Sequence, residues 1–343
     1  MIPFRPFFRN PHLATIAGNY WRRNPDPTRF PVAARLFDTA PGVRVLVHSQ
    51  RPAQRPKAHA IIVHGLEGSS SAGYACSLAR ALLEAGFAAH RFNMRSCGGT
   101  EQYSGRTLYH SGQTGDLREV VRQIRVGDDI PFFIIGFSLG GNVVLKLAGE
   151  LGDGAPREGI EAVCAVSAPI DLAACVRQLH RPGNWLYANR FLQRLKERIR
   201  AKERLAPGLF PVDRLPEVRT IQDFDDVFTA PAFGFGTADN YYATQSSAGF
   251  LERVRIPALL VQAKDDPLIP FEVFGHPAFA TNPFLRLVAP ECGGHVGFIA
   301  RGKPRFWVDR VIVEWMEGAM PKRHAGEQRP DQLRYRLQGP LIT

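Results

Sequence analysis

The chain has 343 residues, 45% of them hydrophobic, which suits a globular protein of one large domain or two modest ones. Forty-three basic residues against 32 acidic ones give a formal net charge of +11, spread along the chain. No helix-turn-helix, zinc-finger or RNA-binding motif accompanies this charge, which argues against a nucleic-acid-binding protein. We expect solvated basic helix faces, with weak attraction to an anionic membrane surface as the alternative.

No apolar stretch reaches the ~20 residues needed to span a bilayer, and the start of the chain lacks the continuous apolar segment of a signal peptide. We therefore expect a cytoplasmic protein. Its five cysteines are widely spaced and contain no C-x-x-C pair, which favours free, mostly buried thiols over disulfides or a zinc site. They are Cys76, Cys97, Cys164, Cys175 and Cys292.

Strand-like and helix-like segments alternate in two separated regions, which predicts a mainly parallel sheet covered by helices. In the first region we expect strands over residues 43–48, 60–63, 87–92, 131–135 and 162–167. The helices expected between them span residues 72–85, 115–124 and 139–151. The pattern resumes with strands over 258–263 and 284–288 and a closing helix over 306–317.

The segment between these regions, residues 171–252, shows no strand alternation and contains a basic helix-like stretch over residues 190–204. We predict a helical cap inserted over the carboxyl edge of the sheet, where ligands bind in open α/β folds. Some cap aromatics are expected to line a binding pocket, with packing onto the core as the alternative. The candidates are Trp185, Phe233, Phe235 and Tyr241.

Four parts of the chain follow from this pattern. They are an N-terminal extension (1–42), an α/β core (43–170 and 253–320), the cap (171–252) and a polar C-terminal tail (321–343).

The most informative motif is G-F-S-L-G at residues 136–140, which follows an apolar run and precedes apolar residues at helical spacing. A strand-to-helix turn of about four residues would strain the backbone of Ser138 and leave no room for side chains at Gly136 or Gly140. Such a nucleophile elbow lifts the serine hydroxyl clear of the sheet. The unpaired N–H groups at the start of the next helix would stabilise negative charge beside it.

A serine nucleophile needs a base and an acid that orients the base. His295 lies in a Gly-Gly-His loop after the last expected strand, a position that the other nine histidines lack. The acid is Asp265 or Asp266, which follow the strand over 258–263. The usual position of such an acid in hydrolases, four residues before the proline that follows the turn, selects Asp266, and Asp265 remains the alternative.

A second N–H donor to the developing oxyanion is expected from the loop that follows the strand over 60–63. The backbone amide of Leu66 would pair with that of Leu139, each lowering the barrier by about 3 kcal/mol. His64, in the same loop, is expected to shape it and not to act as a base.

The chain resembles the YheT-like branch of the α/β-hydrolase superfamily, which also holds ABHD1/2/3-like lipid hydrolases and yeast medium-chain ester synthases. Besides the elbow, the resemblance rests on H-G-L-E-G-S-S at 64–70 and on the cap signature D-F-D at 223–225, F-T-A-P at 228–231 and Y-Y at 241–242. Further matching stretches are 10–16, 93–99 and 115–117. It covers roughly residues 5–318.

The resemblance implies an α/β-hydrolase fold with Ser138, Asp266 and His295 as a charge-relay triad, in the chain order of that fold. It also implies hydrolysis of carboxylic esters with medium acyl chains, without a metal or an organic cofactor. Two features depart from the family. Ser96 stands where relatives usually have glycine, and an H-x-x-x-x-D acyltransferase motif is not matched at His110, whose nearest acid is Asp116.

We therefore expect a serine esterase for short to medium acyl chains. The alternatives on the same triad are an alcohol acyltransferase, a phospholipase or a monoacylglycerol lipase. A non-catalytic lipid-binding protein is the alternative from another class, and the intact triad argues against it. The expected partner is a small ester or lipid substrate, and the sequence predicts no oligomeric state.

Overall fold

The computed structural model describes residues 3–21, 23, 29–104 and 107–320. Within these residues lies one sheet of eight strands: β1 (Ala33–Ala40), β2 (Val43–Gln50), β3 (His59–Val63), β4 (Ala88–Phe92), β5 (Phe132–Phe137), β6 (Ile160–Val166), β7 (Ala258–Val261) and β8 (Leu285–Val288). Their spatial order is β1-β2-β4-β3-β5-β6-β7-β8. The β1/β2 and β2/β4 pairs are antiparallel, and the remaining pairs are parallel. The sheet is therefore mainly parallel, as predicted.

The same described residues form eleven α-helices: α1 (Pro11–Tyr20), α2 (Gly73–Glu84), α3 (Gly115–Arg125), α4 (Leu139–Leu151), α5 (Leu172–Leu179), α6 (Trp185–Leu205), α7 (Ile221–Phe224), α8 (Ala230–Ala232), α9 (Ala238–Gln245), α10 (Ala278–Thr281) and α11 (Trp307–Ala319). Helices α3 and α4 cover one face of the sheet with a buried apolar cluster. Helices α2 and α11 cover the other face. This layered arrangement is an α/β-hydrolase fold.

The central strands are buried on both faces, which explains their nearly continuous apolar sequence. Every residue of β3 and β5 is buried. Because parallel strands end at one edge of a sheet, the loops after β3, β5, β7 and β8 converge there. That edge is where a site can be assembled from distant parts of the chain.

All seven predicted strands and the four predicted core helices are present, with ends within two residues of those expected. Helix α1 and strand β1, both in the predicted N-terminal extension, were not expected from the sequence. Strand β1 lies at the sheet edge, and only Phe37 of it is buried, so its sequence carries little apolar alternation. Part of the extension therefore belongs to the central sheet.

Residues 171–252, all of which are described, contain α5 to α9 and several 3₁₀ turns but no strand. The basic helix expected over 190–204 lies within α6. These helices bury an apolar cluster of their own, which includes Leu195, Phe224 and Phe228. We use the name cap for residues 171–252 below.

The predicted C-terminal tail, residues 321–343, lies outside the described residues. In the described part of the chain, no helix is long and apolar enough to cross a membrane. All five cysteines are free, and three of them are buried.

Candidate active site

Ser138 lies at a sharp turn between β5 and α4. Its backbone has φ 51° and ψ −124°, a region that L-residues rarely adopt. A Cβ at Gly136 would lie 2.1 Å from the carbonyl oxygen of Gly140, and a Cβ at Gly140 would lie 2.5 Å from that of Val63. Both positions therefore require glycine, and the turn has the geometry of the predicted nucleophile elbow.

Loops after β5, β7 and β8 bring the three predicted triad residues together. Nε2 of His295 lies 3.0 Å from Oγ of Ser138, and Nδ1 lies 2.9 Å from Oδ2 of Asp266. The buried Asp266 also accepts hydrogen bonds from the backbone amides of Leu268 and Ile269. These donors fix the carboxylate, so that Nδ1–H of His295 can donate to it and leave Nε2 as the acceptor.

Asp265, the alternative acid, has a different partner. Its Oδ1 accepts the backbone N–H of Gly294 at 2.9 Å, one residue before His295. Burial raises its pKa. Asp265 therefore holds the loop that carries His295, whereas Asp266 contacts the imidazole itself.

Helix α1 supports the His295 loop, a role that the sequence analysis missed. Oγ1 of Thr15 accepts the backbone N–H of His295 at 2.9 Å. The packing is close, because a Cβ at Gly294 would lie 2.5 Å from the carbonyl oxygen of Pro11. The signal for this helix was present at Asn10-Pro11, where Asn10 caps the helix and proline occupies its first turn.

The loop after β3 passes directly beside the nucleophile. A Cβ at Gly65 would lie 2.9 Å from Cβ of Ser138. The amides of Gly65 and Glu67 both donate to tyrosine hydroxyls. For the amide of Leu66 between them, and for that of Leu139, no acceptor exists among the described residues. Two unused N–H groups beside a serine are what an oxyanion hole requires.

His64 holds this loop from inside the protein. Its Nδ1 donates to the carbonyl oxygen of Gly65 at 2.8 Å, and its Nε2 accepts the backbone N–H of Met94 at 3.1 Å. Burial lowers the pKa of His64 to about 4, so the ring is neutral near pH 7. Its contacts are those expected of a residue that shapes the loop.

A buried ion pair joins the cap to this loop. The guanidinium of Arg198 in α6 makes two hydrogen bonds of 2.8 Å to the carboxylate of Glu67, and both side chains are at least 90% buried. Arg198 also donates to the carbonyl oxygen of Ser96. The hydroxyl of Tyr109 donates to the same carboxylate at 2.9 Å. Since Glu67 follows Leu66, the cap contributes directly to the position of an oxyanion-hole candidate.

An apolar cavity of about 110 Å³ extends from Ser138 beneath the cap. Its wall combines core and cap side chains and is largely apolar. The apolar part includes Leu108, Leu172, Val176, Leu195, Ile221 and Phe224. We call it the cap cavity.

A second cavity of about 180 Å³ reaches Ser138 from another side, between α1 and α6. It shares five lining residues with the cap cavity, which are Leu66, Ser138, Phe191, Leu268 and His295. Its outer part contains Ile16, Tyr20, Arg190 and Arg194. We call it the α1–α6 cavity. The serine therefore lies where two cavities of different character meet.

The predicted cap lining is partly wrong. Tyr241 lines the cap cavity, but Phe233 and Phe235 instead contact the ring of His110 from outside that lining. Trp185 is 63% exposed and takes no part in it. Helical spacing gave no means of separating aromatic residues that face a cavity from those that pack behind it.

The two departures from the family have local explanations. Ser96 has φ 60°, a left-handed conformation that favours glycine, and its hydroxyl is 2.7 Å from that of Ser104. His110 lines the cap cavity with its pKa lowered to about 3, mainly by burial. The carboxylate of Asp116 forms an ion pair with the guanidinium of Arg95.

Comparison with known proteins agrees with the fold. The α/β hydrolase fold family matches residues 59–301. YheT of Escherichia coli (strain K12), named as an esterase, is 33% identical over 322 residues, 92% of each chain. The phospholipase ABHD3 of Mus musculus is 30% identical over 268 residues, which are 77% of this chain and 64% of the mouse protein. The chain thus spans less than two thirds of that phospholipase.

Among solved structures, the Pyrococcus furiosus esterase Pf2001 superposes with a TM-score of 0.59 and 18% identity, over 88% of this chain and 99% of the other. At that identity the likeness concerns the fold alone. The family match and the identity to YheT carry the assignment. The chain belongs to the α/β-hydrolase family and is an esterase/lipase-type enzyme of its YheT-like, ABHD-like branch.

Proposed function

We propose that the protein hydrolyses carboxylic esters through an acyl-enzyme formed on Ser138. The observation that carries the proposal is the hydrogen-bonded line from Asp266 through His295 to Ser138, with distances of 2.9 and 3.0 Å. A serine hydroxyl is a weak nucleophile until a base removes its proton, and this line supplies the base. The amides of Leu66 and Leu139, which have no acceptor among the described residues, support the proposal as donors to the developing oxyanion.

In the first half-reaction, Oγ of Ser138 attacks the ester carbonyl carbon while Nε2 of His295 accepts the hydroxyl proton. Asp266 accepts a hydrogen bond from Nδ1–H and stabilises the imidazolium. The Leu66 and Leu139 amides donate to the oxyanion. The bond between carbon and the alcohol oxygen then breaks as His295 returns the proton to that oxygen.

In the second half-reaction, water gives a proton to His295 and attacks the acyl carbon. The bond to Oγ breaks, Ser138 recovers its proton from His295, and a carboxylic acid leaves. Both halves use the same donors and the same base. The scheme therefore needs no group beyond the described residues and water.

The two cavities suggest where the parts of the ester lie. The largely apolar wall of the cap cavity suits the acyl chain, and the modest volume of about 110 Å³ favours short to medium chains. The α1–α6 cavity, which carries Arg190 and Arg194, is left for the alcohol. Both parts meet at Ser138.

The test is covalent labelling of the purified protein with a fluorophosphonate, together with hydrolysis of p-nitrophenyl butyrate. Ser138→Ala is expected to lose labelling and to lower kcat by roughly 10⁴ to 10⁶, because only binding and oxyanion effects remain. Ser71→Ala, which changes an exposed serine, is the matched control and should keep both. Persistent labelling of Ser138→Ala would disprove the assigned nucleophile.

A further inference from the structure

The outer end of the α1–α6 cavity opens onto an unusual concentration of exposed apolar side chains. Among the described residues, ten large hydrophobic side chains are at least 36% exposed, and five of them belong to α1 and the first turn of α6. We call these five, together with Arg190, the α1–α6 patch. The five are Leu13, Ile16, Tyr20, Trp185 and Leu186.

The patch is continuous across the two helices. Leu13, Ile16 and Tyr20 have the spacing i, i+3, i+7, so they share one face of α1. Leu186 and Arg190 are four residues apart in α6 and share one of its faces. The guanidinium of Arg190 lies 5.4 Å from the ring centre of Tyr20 and donates to its hydroxyl, which joins the two faces.

The two segments that carry the patch are basic. Residues 3–21 contain no acidic residue and neither do residues 181–196, whereas together they contain six basic ones. These are Arg5, Arg9, Arg181, Arg190, Arg194 and Lys196. In the lining of the α1–α6 cavity, all of it described, the one acidic residue is Glu67, which is paired with Arg198. Exposed apolar side chains on segments that carry basic and no acidic residues, with Arg190 in contact with Tyr20, match the chemistry of an anionic lipid surface.

We propose that the α1–α6 patch docks the protein on anionic phospholipid surfaces, with the cavity that leads to Ser138 facing the lipid. This goes beyond the proposed esterase activity, since docking requires no catalysis. A second copy of the chain fits the patch less well. A two-fold contact would bring the same arginines together, and like charges oppose such a contact.

Because the patch is continuous with the α1–α6 cavity, docking on lipid would bring the entrance of that cavity to the substrate. Esters with long apolar parts concentrate in lipid surfaces. If the entrance of the α1–α6 cavity contacts such a surface, these esters can enter the cavity without first transferring into water. Ile16 and Tyr20 belong both to the patch and to the cavity lining. The surface that docks is therefore also the rim of the entrance.

The experiment measures binding to phosphatidylcholine vesicles with and without phosphatidylglycerol, by co-flotation. The test variant is Leu13→Glu/Leu186→Glu, which changes residues that are 53% and 68% exposed and line neither cavity. The control variant is Val126→Glu/Leu205→Glu, which changes residues that are 68% and 53% exposed elsewhere. Both variants add two negative charges at sites of equal exposure.

Wild type is expected to bind the phosphatidylglycerol vesicles, more weakly in high salt. The test variant should bind them roughly tenfold more weakly or worse, and the control within about twofold of wild type. Hydrolysis of the soluble p-nitrophenyl butyrate should be equal in all three proteins. Failure of that hydrolysis in wild type would count against the esterase proposal alone, because vesicle binding is measured separately.

Three outcomes would overturn the docking proposal. Wild type does not bind the anionic vesicles, or the control variant loses as much binding as the test variant. The third is a wild-type dimer, measured by light scattering without lipid, that the test variant dissociates and the control does not. That result would assign the patch to self-association.

Discussion

The carboxyl edge of the sheet and the cap both face Ser138, but they constrain it in different ways. At the sheet edge the backbone allows only glycine at positions 136 and 140, since a Cβ at Gly136 or Gly140 would lie within 2.5 Å of a carbonyl oxygen. The cap contributes exchangeable side chains such as Val176 and Leu195 to a cavity wall. We therefore expect backbone geometry to fix the position of the proposed nucleophile, and replaceable cap side chains to decide which acyl chain fits.

The two regions are nevertheless coupled through Arg198 and Glu67. The pair is buried, and its carboxylate belongs to the residue next to Leu66. A cap that moved would break this contact or displace the loop. Variants that act on one region alone should therefore separate the roles of the sheet edge and the cap, whereas variants of Arg198 or Glu67 should affect both.

The largest effect is expected at the sheet edge, where two neighbouring aspartates have different partners. Asp266→Asn should lower kcat for p-nitrophenyl butyrate by roughly 10³ to 10⁴, because His295 loses its orienting acid. Asp265→Asn should cost less than about tenfold, since an amide oxygen can still accept the N–H of Gly294. Each variant serves as the control for the other. Equal losses would mean that Asp265 shares the role of the acid.

The next largest effect is expected on the pH dependence of stability, at two buried carboxyls, one in the cap and one in the core. Burial raises the pKa of Asp225 in the cap to about 6, and that of Asp309 in α11 also to about 6. A folded-state pKa above the unfolded value means that the folded protein takes up a proton. The contribution of each carboxyl to stability therefore falls as pH rises from about 4 to about 6.

Asp225→Asn removes this loss. The free energy of unfolding of the variant minus that of wild type should therefore increase by up to about 3 kcal/mol from pH 4 to pH 7. Asp309→Asn should show a gain of similar size over the same pH range, because its folded-state pKa of about 6 already includes the attraction of the buried Arg23. Urea unfolding at several pH values measures both. A difference between Asp225→Asn and wild type that does not change with pH would refute the account.

Much of the core could be predicted because the sequence patterns that indicate it are local and follow directly from burial and from close backbone contacts. Strands buried on both faces read as apolar runs, and the glycines around Ser138 are required by close backbone contacts. His295 followed from its place after the last strand. Each of these inferences used residues that are neighbours in sequence.

What could not be predicted depends on contacts between distant residues. Thr15 lies 280 residues before His295, whose amide it holds, and Arg198 lies 131 residues after Glu67. The sequence around Thr15 does not indicate that it contacts His295, and the sequence around Arg198 does not indicate that it contacts Glu67. The direction in which a cap aromatic points is likewise set by tertiary packing, which is why Trp185 was misjudged as a lining residue.

The link between the two regions is tested by Arg198→Gln. Loss of the guanidinium leaves the buried carboxylate of Glu67 unpaired, and the loop that carries Leu66 should shift. We expect kcat to fall roughly 10- to 100-fold with little change in KM for a short ester, since the effect falls on oxyanion stabilisation. Arg198→Gln/Glu67→Gln should recover part of the loss, because no unpaired charge remains.

Arg200→Gln is the control for this link, because it changes an exposed arginine of the same helix. It should leave kcat and KM unchanged. If Arg198→Gln raised KM and left kcat intact, the residue would belong to substrate binding in the cap cavity, whose wall it also joins. The split between the two constants therefore separates positioning from binding.

The smallest effect concerns the cap cavity and acyl-chain length. Each methylene buried in an apolar cavity gains roughly 0.8 kcal/mol, so kcat/KM should rise about fourfold per added methylene until the chain no longer fits. We expect an optimum near hexanoyl or octanoyl p-nitrophenyl esters. Val176→Phe, which fills part of the wall, should move that optimum to shorter chains and leave the acetyl ester within about twofold.

Trp185→Ala is the matched cap control, since that side chain is 63% exposed and outside the cavity. Its chain-length profile for soluble esters should equal that of wild type. If Val176→Phe lowered the rate on every ester equally, the cap would be acting through the folding of the site and not through the acyl chain. An unchanged profile in Val176→Phe would instead move the acyl chain to the α1–α6 cavity. Only a shifted optimum keeps the choice of substrate in the cap while the chemistry stays at the sheet edge.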